Sequence, residues 1–317
     1  MRIAILGAGA MGSLFGGLLA ESGEDVTLID VNDAHLDAIR RDGLRIDDDR
    51  GERRVTTLQA LRPEAANASA DTPFDLLIVF TKSLHTRVAL DGVRALLTPR
   101  THVLTPRTHV LTLQNGLGNV ETLNAFVPLE RILVGVTTWP ADLAGPAHVH
   151  SHGAGTIRMM TADGAASPFA AAVADALSRA GLACTLDADV WAAIWEKVAF
   201  NAALNTLCAV TRCTVDQLGE HHDGPRLAQA IVAETAAVAR AKGIAVDAAR
   251  IARNVDHAIR EHRGHRPSML QDVLAGRRTE IDAIGGKVVA AAREVGLAVP
   301  HTETMLSLVR VIDAQAG

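Results

Sequence analysis

The segment that most constrains the fold is residues 1–30, which combine two apolar runs, a glycine pattern and an acid. Residues 3–6 are typical of a short buried strand, and residues 14–20 form an apolar helical run. A second predicted strand, residues 26–29, ends at Asp30. Between the first strand and the helix lies G-x-G-x-x-G, spelled by Gly7, Ala8, Gly9, Ala10, Met11 and Gly12. Glycines alone are weak evidence, but this order of segments predicts a dinucleotide-binding βαβ unit.

The three glycines of this pattern have separate physical roles. Gly7 permits the tight turn, Gly9 lets a pyrophosphate approach the backbone, and Gly12 lets the helix pack closely on the strand. The helix N-terminus offers unpaired N–H groups and a positive dipole end to the pyrophosphate. An ordinary glycine-rich turn is the alternative. A signal peptide is rejected because glycines interrupt the apolar segment and no clean cleavage site follows.

Length and composition exclude several classes of protein. A chain of 317 residues predicts about two domains. The net charge is −5 without a basic run, so we expect no nucleic-acid partner. No uninterrupted apolar segment could span a bilayer, so we expect no membrane association. Cys184, Cys208 and Cys213 form neither a disulfide framework nor a metal ligand set, which indicates a cytoplasmic protein, and we expect a monomer or a homodimer.

The two halves of the chain differ in pattern. The first half alternates strand-like and helix-like segments, with strands predicted at 75–80, 108–113 and 132–138 and a strand pair near 147–160. This alternation predicts an α/β fold with a parallel, doubly wound sheet. From about residue 187 almost every segment is helical, including 280–295. We therefore expect a dinucleotide-binding domain at 1–186, a helical substrate and catalytic domain at 187–317, and a cleft between them.

A tandem duplication precedes one of these strands. RTHVLTP at residues 100–106 is repeated as RTHVLTL at 107–113. The period is far below that of solenoid repeats. Only one copy can lie in the central strand, and the second copy runs directly into Asn115. We therefore expect the second copy to form the strand and the first to be a surface loop.

Spacing alone leaves the polar candidates open. Lys197, Asn201 and Asn205 recur every fourth residue, which places an amine and two amides on one helix face, although a polar surface stripe would have the same spacing. Ser268 with Gln271 fits a capping box, and Glu280 fits the acidic first turn of a helix. Each of these two patterns can be explained by helix capping or by the helix dipole, without a functional role. Asn115-Gly116 could be only a turn, but it follows a predicted parallel strand, where ligands bind in such sheets.

Three alternating histidines raise the question of a metal. His148, His150 and His152 share one face of a predicted strand. Because no carboxylate or cysteine cluster accompanies them in the sequence, we expect solvent-facing histidines and no metal.

Six motifs together resemble the ketopantoate reductase family, the 2-dehydropantoate 2-reductases, over nearly the full length of the chain. In order they are GAGAMG at 7–12, TKS at 81–83, QNGLG at 114–118, WEKVAFN at 195–201 followed by Asn205, PSMLQD at 267–272 and TEID at 279–282. The resemblance implies a Rossmann domain followed by a helical domain, with nicotinamide and ketoacid meeting in the cleft. It implies NAD(P)H-dependent reduction of 2-dehydropantoate to pantoate, for pantothenate and coenzyme A biosynthesis.

The same resemblance implies a role for each candidate residue. Lys197 would be the general acid, and Glu280 its charged partner near the cofactor. Asn115 would orient groups near the nicotinamide and touch both substrate and cofactor. The remaining implied contacts are those of Asn201, Asn205 and Ser268 with the substrate, and of Lys82 and Ala141 with the cofactor. Chemically, an ammonium can protonate the alkoxide that develops when hydride reaches a ketone.

Three alternatives remain at this point. A D-2-hydroxyacid dehydrogenase of the D-mandelate type resembles this family and differs mainly in pocket shape. A cofactor-binding sensor without catalysis is a rival of another class. Asp30 favours NADH, because an acid there accepts hydrogen bonds from the adenosine ribose and repels a 2′-phosphate. NADPH is the alternative from the family, with Lys82, Arg53 or Arg54 as possible compensating cations.

Overall fold

The structure, a computed structural model, describes residues 1–68, 73–97 and 108–316. It divides into two compact units. Unit 1 consists of Met1–Gln114 and Asn119–Val190, and unit 2 of Asn115–Gly118 and Trp191–Gly317. Within the described ranges no helix is both long and apolar enough to cross a bilayer.

Unit 1 is built on an eight-stranded sheet and a four-stranded sheet. The strands are β1 (Arg2–Leu6), β2 (Asp25–Ile29), β3 (Leu44–Asp48), β4 (Gly51–Val55), β5 (Gln59–Leu61), β6 (Leu76–Val79), β7 (His109–Thr112), β8 (Ile132–Thr137), β9 (Asp142–Gly145), β10 (His148–Ser151), β11 (Ile157–Thr161) and β12 (Cys184–Leu186). The large sheet has the order β12-β11-β8-β7-β6-β1-β2-β5. Its pairings are parallel except that of β8 with β11. The predicted α/β fold is confirmed.

Helices cover the large sheet because its central strands are apolar on both faces. They are α1 (Ala10–Glu21), α2 (Asp33–Asp42), α3 (Pro63–Ala68), α4 (Thr86–Gly92), α5 (Asn119–Asn124) and α6 (Pro168–Arg179). Two separate buried clusters result, one containing Phe15 and the other Phe74. The order of strands changes direction between β1 and β6, which makes their carboxyl ends the topological switch point of the sheet.

The four-stranded sheet was not predicted. Its order is β4-β3-β10-β9, so β10 pairs with β3 and β9, whereas β11 pairs with β8 and β12. The prediction of a strand pair near 147–160 is therefore wrong, because the two strands belong to different sheets.

The second copy of the duplicated segment forms β7, as predicted, between β6 and β8. The Thr108 hydroxyl fixes its start by donating to the backbone oxygens of Phe74 (2.8 Å) and Leu96 (3.2 Å). The first copy lies outside the described residues.

Unit 2 is helical wherever it is regular. Its helices are α7 (Val190–Thr211, in unit 2 from Trp191), α8 (Val215–Gly219), α9 (Asp223–Ala241), α10 (Ala248–Glu261), α11 (Ser268–Leu274), α12 (Lys287–Glu294) and α13 (Pro300–Asp313). The segment 280–295 is helical as expected, but it begins with a π-helical turn at Asp282–Gly286, which continues directly into α12.

Candidate active site

The glycine loop of unit 1 follows β1 and lies against the segment that follows β6. Gly7 has φ 98°, and a Cβ on it would lie 2.7 Å from the Thr81 backbone nitrogen. A Cβ on Gly12 would overlap the Gly7 carbonyl oxygen. Gly9, the N-cap of α1, has nothing within 4 Å of such a Cβ and no side-chain cap. The loop is therefore closed on the sheet side and open at the start of α1, where helix N–H groups lack intrahelical acceptors.

Asp30 links the carboxyl ends of β1 and β2. One carboxylate oxygen accepts from the Ala8 N–H (2.6 Å), and the other accepts from the N–H groups of Val31 (2.7 Å) and Asn32 (2.9 Å). A carboxylate has about four lone-pair sites, so three backbone donors leave about one acceptor site for a ligand hydroxyl.

A buried histidine, His35, is connected to the glycine loop through Ser13. The His35 Nδ1 accepts from the Ala147 N–H (3.1 Å), so its Nε2 carries the proton and donates to the Ser13 hydroxyl (3.0 Å). Ser13 in turn donates to the Ala8 carbonyl (2.8 Å). Burial lowers the pKa of His35, although the charge of Asp30 opposes the effect, and the neutral ring keeps this chain of donors intact.

Two of the three cations expected to compensate Asp30 have other partners in unit 1. Arg53 pairs with Glu21 and Asp48, and Arg54 donates to the Asp42 carbonyl. Their proposed role beside the ribose is therefore wrong, because Arg53 is held at the end of α1 and of β3, and Arg54 at the end of α2. Sequence reasoning missed Arg62, which follows β5.

Arg62 lies beside the loop that follows Asp30. It donates to the Val31 carbonyl (3.1 Å) and to the Asp33 carboxylate (2.7 Å). The signal that could have found it is the parallel pairing of β5 with β2, which brings the residues after both strands together.

The segment after β6 is fixed by a glutamine. Gln114, at the end of the β7 segment, donates to the Thr81 carbonyl (2.6 Å) and to the Thr86 hydroxyl (2.7 Å). Lys82 follows Thr81 directly and is partly exposed. Lys82 is thus held near the switch point, one residue from the atoms that approach Gly7. Ala141 lies just before β9, partly buried against the core of unit 1; its expected cofactor contact stays a prediction.

Unit 2 brings an amine and two amides to one face of α7. Lys197 is partly buried, while Asn201 and Asn205 are only 7% and 5% exposed. Within the described part of the chain neither amide side chain has a hydrogen-bond partner. A solvated polar stripe is wrong, because two of its three members are buried. Buried amides without protein partners are available for a ligand.

Lys197 has an unusual titration. Burial lowers its pKa from 10.5 to about 8, and the charge of Glu280 partly offsets this by favouring the ammonium. Lys197 therefore releases its proton more readily than an ordinary lysine while remaining largely charged at neutral pH. A lysine poised in this way can act as a proton donor.

Glu280 lies at a structured turn and not at a simple helix start. Thr279 before it donates its hydroxyl to the Asp313 carboxylate (2.9 Å), and the π-helical turn follows directly. π-Helical turns occur frequently at functional sites. The Glu280 carbonyl accepts from the N–H groups of Ala283 and Ile284.

The Asn115 segment packs on the same turn. The Leu117 N–H donates to the Ala283 carbonyl (2.8 Å). Gly116 has φ 83°, and a Cβ there would lie 2.5 Å from that carbonyl oxygen. Asn115-Gly116 is therefore more than a turn after a strand, since it fixes Asn115 to the turn that follows Glu280.

Ser268 is the first residue of α11 and is exposed. The capping box is wrong. Pro267 is the N-cap, and the Gln271 side chain donates to the Arg266 carbonyl (3.0 Å). Helix capping therefore does not account for a serine at position 268.

The histidines of β10 have a carboxylate neighbour after all. Asp47 of β3 lies beside His148 and His150, and the three offer ligand atoms within 4.8 Å of one another. The premise that no carboxylate accompanies them is wrong, because β3 pairs with β10 across about 100 residues of chain.

Comparisons with known proteins agree along the chain. A family model described as ketopantoate reductase PanE/ApbA matches residues 3–164, and its C-terminal counterpart matches 189–313. A 2-dehydropantoate 2-reductase of Halobacterium salinarum is 36% identical, covering 98% of each chain. One from Streptococcus pyogenes is 32% identical over 99% of this chain and 98% of its own length. A ternary structure of D-mandelate dehydrogenase with NADH and anilino(oxo)acetate has a TM-score of 0.89, 31% identity, and coverage of 99% and 98%.

Proposed function

This chain belongs to the ketopantoate reductase family, and from that premise we propose that it reduces 2-dehydropantoate to pantoate with a nicotinamide cofactor. The observation that carries the proposal is the alignment on α7 of Lys197, whose pKa is about 8, with two buried amides that have no hydrogen-bond partner among the described residues. The curated relatives named 2-dehydropantoate 2-reductase support the substrate.

Lys197 is the proposed general acid. The reduced nicotinamide, when bound, supplies the hydride to the ketone carbon. The Lys197 ammonium stabilises the oxygen that gains charge and donates a proton to it, which gives the alcohol and a neutral amine. Its lowered pKa favours this donation, because the ammonium is a stronger acid than that of an ordinary lysine.

Glu280 is proposed to keep Lys197 charged until the reaction occurs. Its carboxylate raises the pKa of Lys197 against the effect of burial. Asn115, held to the turn after Glu280, is proposed to orient the reacting groups, and it and Glu280 are proposed to contact the cofactor.

Asn201, Asn205 and Ser268 are the proposed substrate contacts. Amide and hydroxyl groups can bind a carboxylate and a hydroxyl without adding a charge that would compete with Lys197. The low exposure of both asparagines, 7% and 5%, supports this role, since it leaves the two amides in a confined position on α7.

We assign the cofactor to unit 1 and the substrate and catalytic groups to unit 2. Gly7, Gly9 and Gly12, with Ala8, Ala10 and Met11 between them, are proposed to receive the pyrophosphate, Lys82 and Ala141 being further contacts. The four-site count at Asp30 supports one hydrogen bond from a ribose hydroxyl.

NADH is the proposed cofactor, because the Asp30 charge opposes a 2′-phosphate. NADPH is the alternative, through Arg62 and Lys82. A D-mandelate dehydrogenase structure that holds NADH gives further support. The test is kcat/KM for both cofactors, and a tenfold preference for NADPH, about 1.4 kcal/mol, would contradict this choice.

A D-2-hydroxyacid dehydrogenase of the D-mandelate type is the second candidate, favoured by the TM-score of 0.89 to D-mandelate dehydrogenase. Steady-state rates with ketopantoate and with benzoylformate, each with both cofactors, separate the two. A higher kcat/KM for ketopantoate is expected. Faster turnover of benzoylformate would support the second candidate, and cofactor binding without turnover of either would support a sensor. We further propose a cytoplasmic location and a monomer or homodimer.

A further inference from the structure

A histidine-carboxylate cluster lies on one face of the four-stranded sheet in unit 1. In the parallel pairing of β10 with β3, His148 lies opposite Arg45 and His150 opposite Asp47. Val149 and Ser151 of β10 are buried, whereas the two histidines are partly exposed. The register therefore places both imidazoles and the Asp47 carboxylate on the outer face of the sheet.

The distances between these groups suit one metal ion. The two Nε2 atoms of His148 and His150 are 2.9 Å apart, and the His150 Nε2 lies 3.5 Å from an Asp47 carboxylate oxygen. Donor atoms bound at about 2.0–2.1 Å to a tetrahedral zinc ion stand roughly 3.3 Å apart. The observed separations lie on both sides of that value. All three donors lie within 4.8 Å of one another, so side-chain rotation alone could complete the set.

The protonation of the pair also suits a metal. Two Nε2 atoms in hydrogen-bond contact share one proton, because one ring donates and the other accepts. A metal replacing the shared proton would break only this one hydrogen bond, and neutral imidazole is the form that binds metals.

Other charged groups on this face decide whether a cation is tolerated. Arg45 opposes a cation, but it is paired with Glu52 on the adjacent strand β4. Asp142 on β9 lies opposite His150 and adds a second carboxylate to the same face. Arg54 lies opposite Arg45 and donates to the Asp42 carbonyl. Two carboxylates, those of Asp47 and Asp142, thus lie beside the histidines, while the charge of Arg45 is balanced by Glu52.

We propose that Asp47, His148 and His150 form a binding site for one divalent transition-metal ion of the zinc class. Two imidazoles and a carboxylate are the ligand types that zinc takes, and the remaining position is open to water or to Asp142. The ion would join β3 to β10, which are far apart in the chain, and would stabilise unit 1 without taking part in the proposed reduction.

The test uses the full chain without a histidine tag. Zn²⁺ binding is measured by isothermal titration calorimetry, and Co²⁺ binding by visible absorption, which reports tetrahedral coordination. We expect one Zn²⁺ per chain and a rise in Tm with Zn²⁺. His150→Ala and Asp47→Asn should each weaken binding at least tenfold, while both variants keep the metal-free Tm and ketoacid turnover of the wild type.

The chain provides a matched control. His221, His222 and Asp223 form a second, more exposed cluster on unit 2. The double variant His221→Ala/His222→Ala should keep Zn²⁺ binding. The proposal is overturned if the wild type binds no Zn²⁺, if His150→Ala binds as well as wild type, or if the control variant alone abolishes binding.

Discussion

Replacing Glu280 by glutamine should move the pH dependence of catalysis to lower pH. Burial lowers the pKa of Lys197 to about 8 even though Glu280 acts in the opposite direction. An opposite charge within about 4–6 Å changes a pKa by about 1–3 units, so Glu280→Gln should lower that of Lys197 to about 7 or below. At pH 7.5 the protonated fraction of Lys197 would fall from about three quarters to about one quarter.

The sign follows from the role of the acid. Because the ammonium donates the proton, reduction is fast below the pKa of Lys197 and slows as pH rises through it. The assay is kcat/KM for the ketoacid at saturating reduced cofactor, measured across pH for wild type and Glu280→Gln. The alkaline limb of the variant should lie at least about one unit lower.

The matched control is Asp282→Asn, two residues further on. Asp282 is exposed and pairs with Arg310, and it does not perturb Lys197. Its profile should coincide with that of wild type. An unchanged alkaline limb in Glu280→Gln, or equal shifts in both variants, would refute the reasoning that Glu280 keeps Lys197 charged.

Further expectations concern turnover, cofactor choice and backbone fit. Lys197→Ala should lower kcat by about 10²-fold or more at unchanged Tm, and near wild-type turnover would remove Lys197 from the acid role. Asp30→Ala should shift kcat/KM toward NADPH. Asp30→Asn is the control, because it removes the charge but keeps a side-chain oxygen that can accept from the backbone N–H groups. Gly116→Ala should reduce turnover more than Gly153→Ala, since both positions have positive φ but only Gly116 meets a carbonyl oxygen; equal effects would contradict this. Deleting residues 100–106 should leave activity and Tm nearly intact, and a fall of many degrees would show that the first copy is packed.

The features predicted correctly from sequence are mostly local in the chain. The β1–α1–β2 unit was predicted because glycines, apolar runs and the acid lie within 30 residues. The face shared by Lys197 and Asn201 was predicted because helical spacing is itself local. Their burial was not, since it depends on which elements pack against α7.

What the sequence did not show depends on pairing between distant segments. β4 is largely charged and β5 has only three residues, so neither has a clear apolar pattern. Without β3 and β5 there was no reason to place Asp47 beside His150 or Arg62 beside the loop after Asp30. For Glu280 and Ser268, spacing favoured helix-start explanations, and only the resemblance indicated function.

The segment Asn115–Gly118 makes unit 2 discontinuous in sequence, and this limits which chimeras of two related chains can be active. It lies inside the part matched by the first family model, yet it supplies the donor for the Ala283 carbonyl of unit 2. A chimera joined near residues 165–188 would combine the helical half of one parent with the other parent's version of this segment. Such a chimera should keep its activity only if residues 115–118 come from the same parent as the C-terminal helical half. We therefore expect these four residues to vary together with that half among related sequences.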